Sequence, residues 1–386
     1  MVLILFFTTM TYKFSFKFEK NCKKIAMTSY SLIGVMSGTS TDGLDLAYTT
    51  FSPVSKSSEK WSFELHHAKT YPYPEELIRS IRQAKELNGY ALKELDIILG
   101  KFIGETVNRF VDEFSIDRTA VHAIASHGHT IFHQPSERIT VQIGNGQVIA
   151  SLTGIKTINN FREKDVLSGG QGAPLVPIGD LLLFSDLADS FLNLGGFANI
   201  TSIRDNTPIA FDICPCNLPL NMYASLIGYP YDHNGELGRS VPNHNTGLVS
   251  TLNHLPYYSK KWPKSLGVEW LEEEFAPLLE IDELTAQEKL RICYDHISEQ
   301  IAGSIRKLQA QKVLVTGGGA KNKFLVELIR QKSNSEILIP DSQLIDFKEA
   351  IVFAFLGVLF LIGQPNCLKS VTGADRDVCG GNEFLP

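Results

Sequence analysis

Twice in this chain a strand runs into a turn of Gly, Ser, Thr and Asn and returns as a second strand. The first instance is GVMSGTSTDGLDLAYTTF, from Gly34 to Phe51, and the second is FLNLGGFANITSI, from Phe191 to Ile203. Around them, short β-rich runs alternate with helical patterns. Strands are expected at Leu32–Met36, Leu44–Phe51, Ser62–Thr70, Val121–Ser126, Phe191–Leu194, Ile200–Arg204 and Lys312–Thr316. Helices are expected at Glu75–Leu99, Ile103–Phe114, Ala286–Gln311, Asn322–Gln331 and Phe347–Ile362. That alternation means an α/β fold with layered sheets. A chain of 386 residues is long enough for about two domains. The recurring hairpin places one in residues 27–187 and the other in 188–386.

Composition narrows the function classes. Charged residues make up 20% and apolar ones 44%, a globular balance that excludes a largely disordered chain. Thirty-six basic against 42 acidic side chains leave a net charge of −6, which argues against nucleic acid as the main partner. Six scattered cysteines do not make a disulfide framework, so a reduced, cytoplasmic protein is expected. Residues 1–26 differ from the rest: an apolar run from Val2 to Phe7 is followed by five lysines. The order is the reverse of a secretory signal, and the run is far too short to span a bilayer. The segment is read as a dispensable leader, with translation expected from Met27. No membrane partner is expected.

Three glycine-rich turns could cradle phosphates. Gly38, Thr39, Ser40, Thr41, Asp42, Gly43, Leu44 and Asp45 form the first; backbone N–H groups in such a turn converge on an anion. Asp42 and Asp45 beside it suggest a divalent cation, although alone the segment reads equally well as a tight hairpin. Gly195, Gly196 and Asn199 repeat that chemistry in the second half. Gly317, Gly318 and Gly319 follow a strand and open a helix. The stretch Ser168–Asp180 carries a glycine loop into Pro174 and Pro177, and its Asp180 reads as a general base or as a complement to the helix dipole. Three histidines, His127, His129 and His133, lack the local carboxylate or cysteine of a zinc site; they read as a polar pocket wall. Gln142 suits sugar hydroxyls, and the Arg162 fork suits a substrate carboxylate.

The combination resembles the anhydro-N-acetylmuramic acid kinase family. The resemblance runs from GVMSGTSTDGLD through ASHGHTIFHQP, QIGNG, NFREKDVLSGGQGAPLVPIGD, LNLGGFANIT, PKSLGVEW, TGGGAKN and FKEAIVFAFLG to NCLKSVTGA. It covers essentially everything after Met27. It implies two related actin-like, RNase H-like domains with an ATP cleft between them. It also implies ATP and Mg²⁺ as cofactors, 1,6-anhydro-N-acetylmuramic acid as the small-molecule substrate, and a homodimer. The phosphorylated product, N-acetylmuramic acid 6-phosphate, would serve recycling of peptidoglycan fragments. By the same resemblance Asp180 is the catalytic base, and residues 38–45 and 317–319 hold the nucleotide. His129, Gln142, Arg162, Gln171 and Glu349 line the sugar. Two departures stand out: Asn160 replaces an expected Asp, and Asp212-Ile-Cys-Pro-Cys-Asn217 replaces Asp-Thr-Gly-Pro-Gly-Asn. Cys214 and Cys216 therefore require a backbone that avoids positive φ. Rival readings are a kinase of the same fold acting on a free sugar hydroxyl, and an ATP-binding regulator without catalysis.

Overall fold

The period-2 pattern of the first strand decides how its sheet is covered. In a computed structural model, which describes residues 28–38, 43–55, 58–242, 246–281 and 283–386, β1 (Tyr30–Ser37) pairs antiparallel with β2 (Leu44–Pro53), and β2 with β3 (Trp61–Tyr71). Successive side chains point to opposite faces. Ile33 and Val35 join Ile103, Val107 and Phe110 of the helix Gly89–Glu113 on one side. Leu32 joins Ile351 and Phe355 of the helix Ser342–Leu361 on the other. All of these side chains are fully buried, each contributing about 1.5–3 kcal/mol relative to exposure. Gly34 permits the close approach on the second face: a Cβ there would lie 1.8 Å from the Ala350 carbonyl oxygen.

The sheet continues in parallel from β1 to β4 (Ala123–Ser126) and β7 (Thr157–Asn159). Between these two, β5 (His129–Gln134) and β6 (Ile139–Ile143) form a separate hairpin. A second sheet starts with the antiparallel meander β8 (Ser190–Leu194), β9 (Phe197–Arg204) and β10 (Thr207–Pro215). It then adds β11 (Lys312–Thr316) and β12 (Glu336–Leu338) in parallel. Counted within each unit, both sheets have the strand order 3-2-1-4-5. The chain folds as one topology used twice, and its fold is α/β as the alternation implied. The last strand, β13 (Asn382–Phe384), returns to the first sheet beside β7. The helix Ser342–Leu361 packs on β1, β2 and β4 and also touches β11, so it joins the two units.

Two expectations change. The pattern over 75–99 and 103–114 is not two helices broken near residue 100. The chain instead forms Glu75–Arg82 and the continuous helix Gly89–Glu113. The break falls at Asn88, whose Oδ1 caps the second helix by accepting from the Ala91 N–H at 3.0 Å. Cap chemistry outweighed apolar periodicity there. The strand β10 lies outside the expected strands, because Pro208, Asp212 and the CPC run interrupt its β-formers Ile209, Phe211 and Ile213. Among the described residues no helix is long and apolar enough to cross a membrane. Thr39, Ser40, Thr41, Asp42 and the leader, 1–26, lie outside the described residues.

Candidate active site

The glycine turns of the second unit meet at one end of its sheet. The Gly195–Gly196 turn between β8 and β9 accepts three backbone N–H groups through its carbonyls, Asn217 to Gly195 at 3.1 Å and Cys216 and Leu218 to Gly196 at 2.8 and 3.3 Å. Asn217 Nδ2 donates to the Leu194 carbonyl at 2.9 Å. Gly317 has φ +80°, and a Cβ there would sit 2.5 Å from Asn193 Oδ1. Only glycine leaves room at that point, and its conformation is the left-handed one that disfavours other residues. Gly318 and Gly319 continue into a single turn, after which Asn322 caps the helix Lys323–Lys332 by accepting from the Leu325 N–H. The structure thus gathers Gly195, Gly196, Gly317, Gly318 and Gly319 into one wall.

A polar row leads away from that wall. Asn193 pairs directly with Asn199, and Asn199 directly with Asp212, so the three side chains share one face of the sheet. All three are partly exposed. Leu266 N–H donates to Asp212 Oδ2 at 2.9 Å, and Asp212 N–H pairs with the Lys264 carbonyl. Burial pushes the Asp212 carboxyl up to about 6, and the Leu266 bond pulls in the opposite direction. The neighbouring Cys214 and Cys216 are buried, and neither has positive φ, with Cys216 at −129°. That matches the backbone constraint read from their size.

The first unit supplies a second cluster. His127 Nε2 accepts from Nε and Nη2 of Arg162 at 3.0 and 2.9 Å, and Arg162 Nη1 donates to the Gly172 carbonyl at 2.7 Å. Glu349 attracts Arg162, while burial raises the Glu349 carboxyl above its usual range. Tyr73 OH donates to Ser37 Oγ at 2.7 Å, and that oxygen lies 2.8 Å from His129 Nδ1. Burial lowers His129 and His133, and the Arg162 charge lowers His133 further. Gln142 Nε2 donates to Thr140 Oγ1 at 2.8 Å, whereas its Oε1 is buried without a partner. A buried acceptor of that kind calls for a donor from a ligand. Gln171 N–H donates to the Thr372 carbonyl, and the short helix Lys369–Thr372 packs against β10. His129, Gln142, Arg162, Gln171 and Glu349 therefore line one region, which continues through residues 369–372 to the strand that carries Asp212.

At the first unit's turn, Leu44 is fully buried and serves the core. Asp45 Oδ1 accepts from the Thr70 hydroxyl at 2.6 Å. Gly38 and Gly43 flank the turn. Among the described residues no three metal-ligating side chains converge.

Asp180 is elsewhere. Its side chain is 2% exposed, and its Oδ1 lies 2.6 Å from Lys348 Nζ. The contact is charge against charge without hydrogen-bond alignment, since the same oxygen has no hydrogen-bond partner. The Lys348 ammonium sits over the rings of Phe184 and Phe191, at 5.4 and 5.2 Å. A carboxylate enclosed by an ammonium and apolar rings is an ion pair of the joint between the units. It is badly placed to take a proton from a substrate. Asp212, Asn193, Asn217, Ser37 and Tyr73 were not singled out as site residues from sequence. For Asp212 the available signal was its survival inside an otherwise altered DxxPxN segment.

Two units of one topology, each opening on a hairpin with glycines at its turn, define the class as the actin and sugar-kinase type that the sequence resembles. Residues 30–385 match the family described as anhydro-N-acetylmuramic acid kinase. The Acinetobacter baylyi anhydro-N-acetylmuramic acid kinase is 34% identical over 375 residues, covering 89% of this chain and 96% of its own. The Shewanella amazonensis protein of the same description is 35% identical, with coverage of 93% and 99%. Among solved structures, the chain is similar to the activator of 2-hydroxyisocaproyl-CoA dehydratase from Clostridium difficile, at TM-score 0.43 and 12% identity, covering 84% of this chain and 94% of that one. A ROK family glucokinase from Streptomyces griseus gives TM-score 0.39 and 11% identity, with coverage of 84% and 98%. The chain belongs to the anhydro-N-acetylmuramic acid kinase family, and like the family it is a kinase.

Proposed function

We propose that the protein converts 1,6-anhydro-N-acetylmuramic acid, ATP and water into N-acetylmuramic acid 6-phosphate and ADP, with Asp212 as the general base. The position of Asp212 carries this reading. It ends the Asn193–Asn199–Asp212 row, between the glycine wall and the segment that holds Gln171. In the anhydro sugar O6 is tied to C1, so no 6-hydroxyl exists to phosphorylate. A water oxygen must bond to C1 as the C1–O6 bond breaks, and the released O6 then bonds to the γ-phosphorus as ADP leaves. The proton from water goes to a carboxylate. A base performs best with its pKa near the working pH, and Asp212, at about 6, meets that condition.

The glycine wall suits the nucleotide, because backbone N–H groups of such turns can approach phosphates closely. Asp45, steadied by Thr70, and Asp42 are the residues that would hold Mg²⁺. This ion keeps several waters and takes one or two carboxylates together with phosphates, so it does not require a three-residue cluster. When bound, it offsets charge on the transferring phosphoryl group. Gln142 Oε1 would accept a sugar hydroxyl, and Arg162 would face the lactyl carboxylate. Cytoplasmic placement is supported by the free cysteines Cys214, Cys216, Cys293, Cys367 and Cys379. Homodimer formation rests on the family resemblance and is checked by sedimentation.

The test is ADP release with the anhydro sugar, N-acetylmuramic acid and N-acetylglucosamine, run in ¹⁸O water. Turnover of the anhydro sugar with label at C1 is expected. Phosphorylation of the open sugars without label at C1 would mean a kinase that uses a free hydroxyl.

A further inference from the structure

The protonation state of His127 follows from the groups around its ring, which also faces the Ser37 backbone. One ring nitrogen, Nδ1, lies 2.8 Å from the Gly128 carbonyl oxygen, which can only accept. The other, Nε2, receives Nε and Nη2 of Arg162, which can only donate. The ring must therefore carry its single proton on Nδ1 and present a lone pair at Nε2. It is 5% exposed, and Phe353 packs on its face with ring centroids 4.8 Å apart. A ring held this way can neither relay a proton nor bind a metal while Arg162 occupies Nε2. What it can do is hold a guanidinium.

Of the five N–H groups of a guanidinium, three are engaged: two at His127 Nε2 and one at the Gly172 carbonyl. One N–H remains on each terminal nitrogen. Two N–H groups on adjacent nitrogens are the donor set that a carboxylate accepts bidentately. Gly172 adjoins Gln171 in the loop whose backbone is tied to Thr372, and Gly172 N–H itself donates to Asp165 Oδ2 at 2.7 Å. Both anchors of Arg162 are thus themselves fixed.

We propose that His127 is a positioning residue that aims Arg162 at the lactyl carboxylate of the sugar, so that the pair sets preference for the acidic anhydro sugar over its neutral counterpart. This rests on the function proposed above. It gives an arginine expected to contact the sugar a definite partner and a definite target, and it removes His127 from the acid–base candidates.

Two measurements test it. The first is ¹⁵N NMR of the imidazoles in the intact protein, with His127→Gln used to assign the signal. The proton is expected on Nδ1; a proton on Nε2, or a doubly protonated ring, overturns the proposal whether or not the enzyme accepts this sugar. The second compares kinetics on 1,6-anhydro-N-acetylmuramic acid with those on 1,6-anhydro-N-acetylglucosamine, which lacks the lactyl group. Arg162→Met and His127→Ala are each expected to raise KM for the acidic sugar by about 10- to 100-fold, the range for a charged hydrogen bond. For the neutral sugar kcat/KM should fall less than for the acidic one in both variants, so that the acidic-over-neutral preference is what they lose. His127→Gln, whose side-chain oxygen can accept where Nε2 does, should restore most of the preference. If His127→Ala keeps the wild-type preference, or loses both sugars equally while His127→Gln fails to restore it, the positioning role is wrong. Failure of the wild type on both sugars would instead strike the proposed function, with the tautomer result still deciding the His127–Arg162 assignment.

Discussion

At the scale of single residues, the two candidate carboxylates separate by environment. Asp212→Asn is expected to lower kcat by roughly 10²–10⁴-fold, the usual worth of a general base, with little change in melting temperature. Asp180→Asn should do the reverse. It removes the charge that neutralises buried Lys348, and breaking such a pair costs about 3–5 kcal/mol. Its melting temperature should fall by roughly 5 °C or more, while kcat of the folded protein stays within about fivefold of wild type. Calorimetry and steady-state kinetics on both variants decide the matter, and the opposite pattern would return the base role to Asp180. The pH profile supplies a further check. A carboxyl raised to about 6 by burial in the ligand-free protein is a base only above that pH, so kcat/KM should decline as pH falls through about 6 and be level above 7. A profile flat down to pH 5 would exclude Asp212. Sequence placed a carboxylate on a Pro-marked helix start correctly, but whether Lys348 covers it depends on a residue 168 positions later.

At the scale of elements, the glycine with least room for a Cβ among the described residues is Gly34, where the helix Ser342–Leu361 crosses β1. Gly34→Ala would set a methyl 1.8 Å from the Ala350 carbonyl oxygen, and backbone must move to admit it. This variant should be largely insoluble or lose cooperative unfolding by circular dichroism; a near-native melting temperature would show that the helix can shift. A milder perturbation is available at the helix Ala286–Lys307. Thr285 and Glu288 form a reciprocal capping box there, with Thr285 Oγ1 accepting from Glu288 N–H at 3.2 Å. Thr285→Ala should cost about 1 kcal/mol, a drop of roughly 1 °C, with no effect on kinetics. Most elements were legible from periodicity, and Lys312–Thr316 has the bounds that the sequence indicated. The misreadings cluster where a cap or a neighbouring strand overrides pattern. Asn88 ends one helical run and starts another, and β10 exists because β9 pairs with it.

At the scale of the whole molecule, the two units carry different parts of the proposed site. The glycine wall and Asp212 belong to the second, and Arg162, Gln142 and Glu349 gather with the first sheet and its covering helix. Closure of the units on the substrate would exclude bulk water from an activated phosphoryl group. Small-angle scattering should show a smaller radius of gyration with a non-hydrolysable ATP analogue plus the sugar than with either alone. An unchanged radius would mean that the units are already closed. The joint they would move about contains the Asp180–Lys348 pair and the helix Ser342–Leu361. The sequence alone determined the α/β class and the duplicated hairpin, because turn chemistry and period-2 patterning are local properties of the chain. Tertiary structure decided which carboxylate meets solvent, which histidine nitrogen bears the proton, and which glycines have no room for a Cβ. Those depend on what lies opposite, and the opposing residues come from distant parts of the chain.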